Sequence, residues 1–152
     1  MSPDELSERL LNYAAAAGKL SDQLPDTRLG RHIAGQLVRC GTSPAPNYEE
    51  ARAAESRADF AHKLSVCLKE LREARIWLRL IVRAELLSPM QVAPILDECT
   101  QLGAIIGQSL VTLRRNGVGK VREGELPLYR FENDHLVTDC AAPSEAVLLS
   151  GW

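Results

Sequence analysis

One uninterrupted stretch, residues 58–87, constrains the fold more than any other part of the chain. It contains neither proline nor glycine, and most of its residues are good helix formers. Its apolar and small residues recur in alternating steps of four and three, at Phe60, Leu64, Cys67, Leu71, Ala74, Leu78 and Ile81. This spacing puts them on one face of an α-helix, whereas a strand would need period two. The pattern therefore predicts a long helix that packs against other helices.

Two further helices are predicted before this stretch. The same four-three spacing over residues 3–24 indicates a first helix, which Pro25 ends. A second helix is expected over residues 26–54, but Pro44 and Pro46 each lack the backbone N–H that a regular helix uses. The second helix must therefore bend or break. No turn long enough to reverse the chain separates its two parts, so we expect them to be stacked.

A fourth helix follows a chain reversal at Ser88. Ser88 and Gln91 have the spacing of a capping box, but Pro94 is expected to prevent regular helix before its own position. From there the four-three pattern continues to about residue 115. Four helices with short connections predict an all-α fold, an antiparallel up-and-down four-helix bundle in residues 1–116, with a bent, proline-interrupted second helix.

The last part of the chain, residues 117–152, has no sustained apolar period and contains several glycines and two prolines. An irregular C-terminal tail is expected there. Leu128, Tyr129 and Phe131 are its candidates for docking on the bundle or for pairing with another subunit.

The composition excludes several classes of protein. The chain has 152 residues, of which 45% are hydrophobic and 25% charged, as in ordinary soluble domains. Its cysteines are widely separated and form no C-x-x-C pair, which argues against a disulfide framework or a zinc site; they are Cys40, Cys67, Cys99 and Cys140. The polar N-terminus predicts no secretory signal, and no apolar run approaches the length of a membrane span. We expect a cytoplasmic protein without a membrane partner.

The basic residues of the long helix share one side of it. At 100° per residue, six of them fall within an arc of roughly 120° beside the apolar face: Arg57, Lys69, Arg72, Arg75, Arg79 and Arg83. Leu68 and Ile76 lie in the same arc, so it is not purely a charged surface. Three interpretations stay open: a subunit interface paired with acidic residues, a nucleic-acid surface that follows a phosphate backbone, or ordinary solvated charge.

Two observations weigh against a strong nucleic-acid binder. The sequence pI is about 5.9, and aromatic residues, which stack on single-stranded bases, make up only 5% of the chain. Further basic residues could nevertheless extend the surface: Arg28, Arg31 and Arg39 on the second helix, and Arg114, Arg115, Lys120 and Arg122 near the tail.

Four polar residues are given structural roles. Asn47 is expected to satisfy backbone groups freed by the two prolines of the second helix, and Glu50 to pair with an arginine. Glu70 and Glu73 lie at the flank of the long helix's core face, where pairing with arginines of a neighbouring helix is favoured over acid catalysis.

The sequence predicts neither an enzyme nor a cofactor site. Asp59 and His62 have the carboxylate-x-x-His spacing of di-iron bundles, but such sites need two units facing two further carboxylates, and only one unit is present. Cys67 and Cys99 fall on core faces, where thiols are generally inert. The chain has no P-loop, dinucleotide fingerprint or G-x-S-x-G motif.

Several segments together resemble the 23S ribosomal RNA intervening-sequence proteins, a family of four-helix bundles. The segments are GTSPAPNYEEA, FAHKLSVCLKELREARIWLRLI, LLSP and ILDECTQLGAIIGQSL, and the resemblance covers residues 24–116. Three motifs carry it: Ser43, Asn47 and Glu50; Lys69, Glu70, Glu73 and Trp77; and Leu96, Glu98, Cys99 and Leu102.

The resemblance implies a cytoplasmic bacterial bundle that assembles as a ring-like homopentamer. The family is similar to the accessory protein of diversity-generating retroelements, a basic pentamer that works with a reverse transcriptase and nucleic acid. RNA or DNA, besides the chain itself, is therefore a candidate partner, and an unknown protein partner is left open. No catalytic residue is implied. The expected function is a non-enzymatic oligomeric assembly and interaction module, with nucleic-acid binding as the alternative.

Overall fold

The computed structural model describes residues 1–115, which form five helical segments: α1 (Pro3–Ser21), α2 (Arg28–Thr42), α3 (Pro44–Arg52), α4 (Arg57–Arg83) and α5 (Pro89–Arg115). Segments α2 and α3 make up one arm, because Ser43 between them keeps helical angles of φ −62° and ψ −32°. The Asn47 N–H also donates to the Ser43 carbonyl at 3.3 Å, as in a continuous helix. The four arms form the predicted all-α bundle, whose second arm is interrupted by proline. The expected tail lies outside the described residues.

The first two helices begin with side-chain caps. Ser2 and Glu5 form a capping box at the start of α1, and the Thr27 hydroxyl accepts from the Gly30 N–H at 3.0 Å at the start of α2. Helix α1 ends at Ser21, three residues before the predicted end. Two i→i−3 bonds, which tighten a last turn, carry the chain on to Leu24.

The core follows the four-three pattern of the sequence. On α4, Leu64, Cys67, Leu71, Ala74, Leu78 and Ile81 are all buried, and Phe60 packs against the cluster while partly exposed. Fully burying one such large aliphatic side chain contributes about 1.5–3 kcal/mol to folding. The equivalent faces of the other arms complete a single apolar core, which fixes α4 with one face inward and the rest of its surface available to solvent or partners.

The bundle is antiparallel between its first and last arms as well. Arg9 Nη2 donates to Glu98 Oε2 at 2.7 Å, and the Tyr13 hydroxyl donates to Cys99 Sγ at 3.3 Å. Gln23, fourteen residues after Arg9, accepts from the side chain of Gln91, seven residues before Glu98, at 3.3 Å, so the two arms run in opposite directions.

The end of α4 differs from the prediction that the helix reaches residue 87. Glu85 has a left-handed φ of 53°, and the helix has ended at Arg83. The Leu86 N–H donates to the Ile81 carbonyl and the Glu85 N–H to the Val82 carbonyl. These two bonds are the Schellman pattern, which satisfies carbonyls at a helix end.

The start of α5 corrects a second prediction. Regular helix begins at Pro89, not at Pro94, and Pro94 lies inside it. The predicted capping pair is present, since the Gln91 side chain accepts from the Ser88 N–H at 3.1 Å and the Gln91 N–H donates to the Ser88 hydroxyl. Pro94 leaves only the Met90 carbonyl without its helical donor. Met90 is 87% exposed, so water can take the place of that donor.

Candidate interaction surface

The basic arc predicted on α4 is a solvent-facing side of that helix. Arg57, Lys69 and Arg83 are exposed, and Arg72, Arg75 and Arg79 are partly exposed. The arc begins at the interface with α5, where Leu68 is buried and Arg75 lies near the Cys99 thiol. Ile76, on the outer part of the arc, is 58% exposed and gives the arc an apolar side chain among its cations.

No acidic residue of α4 lies within the basic arc. All three acidic residues of α4, Asp59, Glu70 and Glu73, fall on the opposite flank of the helical wheel. Among the ion pairs formed within residues 1–115, none involves Arg57, Lys69, Arg79 or Arg83. The bundle therefore does not use these four charges internally.

The opposite flank of α4 is paired with α2. Arg39 Nη1 donates to Glu70 Oε2 at 3.3 Å, and Arg39 Nη2 donates to Glu73 Oε1. Glu73 also accepts from the Trp77 indole N–H at 3.3 Å, and the Trp77 ring meets His32 edge to face. The Arg39 guanidinium, followed by the Trp77 bond, lowers the pKa of the Glu73 carboxyl.

The contacts of Arg39 show whether the basic residues of the second arm, Arg28, Arg31 and Arg39, continue the arc of α4. Arg39 reaches the acidic flank of α4, and Arg31 Nη1 donates to Asp26 Oδ1 at 2.5 Å, in the turn before α2. The basic residues of the second arm therefore do not form one continuous basic surface with the arc of α4. Arg28, Arg114 and Arg115 are exposed and make no ion pair with any described residue, whereas Lys120 and Arg122 lie outside the described part.

The proline joint has local, structural contacts. The Asn47 side-chain amide donates to the Ser43 carbonyl at 2.9 Å and to the Ser43 hydroxyl at 3.0 Å. The carbonyls that lose their helical donors to the two prolines belong instead to Cys40 and Thr42. Asn47 therefore does not bond to the backbone groups that the prolines leave free, contrary to the prediction. Glu50 accepts from the Lys63 ammonium of α4, so the prediction that it pairs with an arginine is wrong.

Acidic side chains gather where α1 begins and α3 ends. Arg52 donates to Asp4 at 2.5 Å and to Glu49 at 3.1 Å, and the Ser7 hydroxyl also donates to Glu49. The Ser7 bond is the largest reason why the pKa of the Glu49 carboxyl is lowered. Glu8 and Glu55 are exposed near these residues and form no ion pair within residues 1–115, although the exposed cations Arg57, Arg114 and Arg115 lie at the same end of the bundle.

The thiols of the described residues are held in the core as neutral groups. Burial raises the pKa of Cys40 and Cys67 to about 12 and that of Cys99 to about 11. Cys99 donates to the Leu71 carbonyl at 3.2 Å while accepting from the Tyr13 hydroxyl, whose pKa burial also raises. A neutral buried thiol is a poor nucleophile, so this cluster is a packed polar contact and not a reactive centre. Cys140 lies outside the described residues.

Residues 1–115 hold no group of three or more His, Cys, Asp or Glu side chains arranged to bind a metal ion, and Asp59 and His62 belong to no such group. Within the same residues, no helix is long and apolar enough to cross a membrane.

Two features of this surface were not evident from the sequence. The partners of Arg39 depend on which side of α2 meets α4, and no local pattern encodes that choice. The pairing of Arg9 with Glu98 and Gln101, at 2.7 and 3.0 Å, joins the first and last arms across 89 and 92 residues of sequence. The only sequence signal for it is the opposite charge of two helix flanks.

Comparison with known proteins supports the resemblance. Residues 6–108 match the family described as 23S rRNA-intervening sequence protein. A crystal structure of a Bacteroides thetaiotaomicron protein of unknown function, from the S23 ribosomal protein family, aligns with a TM-score of 0.68 and 30% identity. The alignment covers 73% of this chain and 99% of that chain. No curated protein matches the chain.

Proposed function

We propose that this chain, which belongs to the 23S rRNA-intervening sequence protein family, is a non-enzymatic assembly module that associates with copies of itself through the basic arc of α4. The observation that carries the proposal is the composition of the arc. Lys69, Arg79 and Arg83, which form no ion pair within residues 1–115, share a side of α4 with the exposed Ile76, and the acidic residues of that helix lie outside the arc. Interfaces combine such an apolar centre with a charged rim.

Carboxylates that could face the arc of another copy lie elsewhere on the chain. Glu8 and Glu55 are exposed and form no ion pair within residues 1–115. Contact between the arc of one copy and these carboxylates of another would join two different surfaces, which makes it heterologous, and such contacts produce rings when the rotation closes. The ring-like homopentamer implied by the family resemblance is one closed product of this kind of contact.

The test reverses two exposed charges of the arc, Lys69 and Arg83. In the Lys69→Glu/Arg83→Glu variant, we expect the dissociation constant for self-association to rise at least tenfold, since like charges then face the carboxylates of the other copy. Tenfold corresponds to about 1.4 kcal/mol. The matched control is Lys19→Glu/Arg28→Glu, which makes the same change in net charge at exposed positions outside the arc. Sedimentation equilibrium of both variants measures the constant, and circular dichroism checks their helicity.

Two results would contradict this proposal. The first is a wild-type chain that stays monomeric at micromolar concentration. The second is an arc variant that associates as tightly as the control, because the contact would then lie elsewhere on the bundle. Raising the salt concentration should weaken wild-type association, since salt screens exposed charges.

A second candidate function, binding of RNA or DNA, is favoured by the length of the same arc. Lys69 and Arg83 are fourteen residues apart, which is about 21 Å along the helix at 1.5 Å per residue. Phosphates of one duplex strand follow each other every 3.4 Å or so along the axis. The arc is thus long enough to lie along several phosphates, and exposed cations are the groups that neutralise them.

Salt dependence measures this second function. If the arc contacts phosphates, the affinity for duplex DNA or RNA should fall steeply as salt rises, with a slope of about −0.9 per phosphate contacted in DNA. The Lys69→Glu/Arg83→Glu variant should lose about two contacts from that slope, and the Lys19→Glu/Arg28→Glu control none. Equal slopes for the two variants, or no binding at low salt, would exclude the arc as a nucleic-acid surface.

A further inference from the structure

At one end of the bundle, α5 extends past α1. Arg9 contacts Glu98 and Gln101, and the two helices are antiparallel, so the start of α1 at Pro3 lies opposite about residue 107. Helix α5 continues to Arg115, roughly eight residues or about 12 Å farther. Along about residues 107–115, α1 does not cover α5, so the face of α5 that α1 covers elsewhere is open.

A groove lies at this open end, between the beginning of α4 and the last three turns of α5. Its lining is formed by Phe60, Ala104, Ile105, Gln108, Ser109, Thr112 and Leu113. None of these side chains is charged. Phe60, Ile105 and Leu113 are only partly buried against the core, so each keeps apolar surface exposed to the groove.

We propose that residues 126–131 of this same chain, Leu-Pro-Leu-Tyr-Arg-Phe, occupy the groove and cover the part of α5 that α1 does not reach. Five of these six residues are apolar or aromatic. Tyr129 and Phe131 are the large side chains that match an uncharged groove built around Phe60 and Leu113. The partner of this surface is thus the chain's own C-terminal segment.

The length of the connection fits this occupant. Ten residues, 116–125, separate the end of α5 from Leu126, and ten residues can span up to about 33 Å. The groove extends from Ala104 to Leu113, about 14 Å along α5. The connection is therefore long enough to turn back at residue 116 and return alongside α5.

The sequence of the connection between α5 and Leu126 also favours a reversal of the chain. Gly117, Gly119 and Gly124 lie in the connection, and glycine adopts turn conformations at low cost. Pro127 favours extended backbone for the residue before it, and in an extended segment alternate side chains face the same way. Tyr129 and Phe131 would then face α5 together. The proposal uses no residue of the basic arc, so it stands or falls separately from self-association.

Nuclear Overhauser effects in the full-length protein test the contact directly. We expect them between the ring protons of Tyr129 or Phe131 and the methyl protons of Ile105 and Leu113. A sample that mixes labelled and unlabelled chains identifies contacts between chains. Absence of these effects would overturn the proposal, and so would effects seen only between chains, because a second copy would then supply the segment.

A pair of tail variants gives an independent readout. Phe131→Asp should increase hydrogen exchange of the backbone amides in residues 105–113 at least tenfold, since a buried carboxylate cannot replace the ring. Val147→Asp, an equal change outside the proposed segment, should leave that exchange unchanged. Equal exchange in Phe131→Asp, Val147→Asp and the wild type would show that the segment does not cover α5. Both substitutions lie outside the bundle, so the bundle should stay folded in either variant.

Discussion

Gly30→Ala is expected to destabilise the protein by about 3 kcal/mol, at the upper end of the usual cost of overpacking. Gly30 lies in the first turn of α2, where a Cβ atom would come within 2.1 Å of the Pro25 carbonyl oxygen. That oxygen already accepts from the Thr27 N–H at 2.7 Å, and the Thr27 hydroxyl caps Gly30 itself. The obstacle is backbone, so no side-chain rotation relieves it, and the cap must distort.

Gly35→Ala on the same helix is the matched substitution and should have the opposite sign. Gly35 is exposed, and a Cβ atom there would meet nothing within 4 Å. Alanine in a helix interior is favoured over glycine by roughly 0.5–1 kcal/mol, because glycine loses more conformational freedom on folding. The same chemical change thus separates a steric effect from a backbone-entropy effect.

Thermal unfolding followed by circular dichroism measures both variants, at one protein concentration so that the proposed self-association affects both samples equally. For a chain of this size, about 3 kcal/mol corresponds to a fall of about 10 °C in Tm. If Gly30→Ala unfolded at the wild-type temperature, the turn before α2 would have to relax at no cost, contrary to its hydrogen bonds. A Tm lowered by Gly35→Ala would contradict the exposed position of that residue.

The fold was predictable because its main signal is local. The four-three spacing on α4 identifies six of the seven buried residues of that helix, all except Leu68, and short connections leave few ways to arrange four amphipathic arms. The proline break was also predictable, because Pro44 and Pro46 remove backbone donors whatever the tertiary structure.

The helix boundaries that failed depend on features that sequence rules treat as exceptions. Glu85 adopts a left-handed φ at a position where glycine is the usual residue, so the end of α4 carried no recognisable stop signal. Pro94 is tolerated inside α5 because only one exposed carbonyl loses its donor. Both outcomes depend on the solvent and packing around one backbone group, which a residue pattern does not specify.

The candidate surface was predictable only in part. The angular position of Lys69, Arg79 and Arg83 follows from helix geometry alone, and so does their separation from Glu70 and Glu73. Which cations form ion pairs within the bundle does not follow, because that depends on the helix that packs on each flank. Arg39 resembled a member of the basic surface in sequence, yet it pairs with the acidic flank of α4.

Leu78→Ala should cost about 3 kcal/mol of folding free energy, whereas Ile76→Ala, two residues away on α4, should cost less than about 0.5 kcal/mol. Leu78 is 0% exposed and its truncation leaves a cavity in the core, while Ile76 is 58% exposed on the arc. Urea unfolding measures the difference, at a concentration low enough that the chain is monomeric. Similar losses for both variants would mean that α4 faces the core with a different side.

Self-association should rank the same two variants in reverse. Removing the apolar centre of the arc with Ile76→Ala should weaken association about tenfold, since burying such a side chain contributes about 1.5–3 kcal/mol. Leu78→Ala leaves the arc unchanged, so its folded fraction should associate as the wild type does. If Ile76→Ala changed neither stability nor association, the exposed isoleucine would be an ordinary surface residue and the arc would interact through charge alone. A loss of association without a loss of stability would instead make Ile76 the apolar centre of the contact.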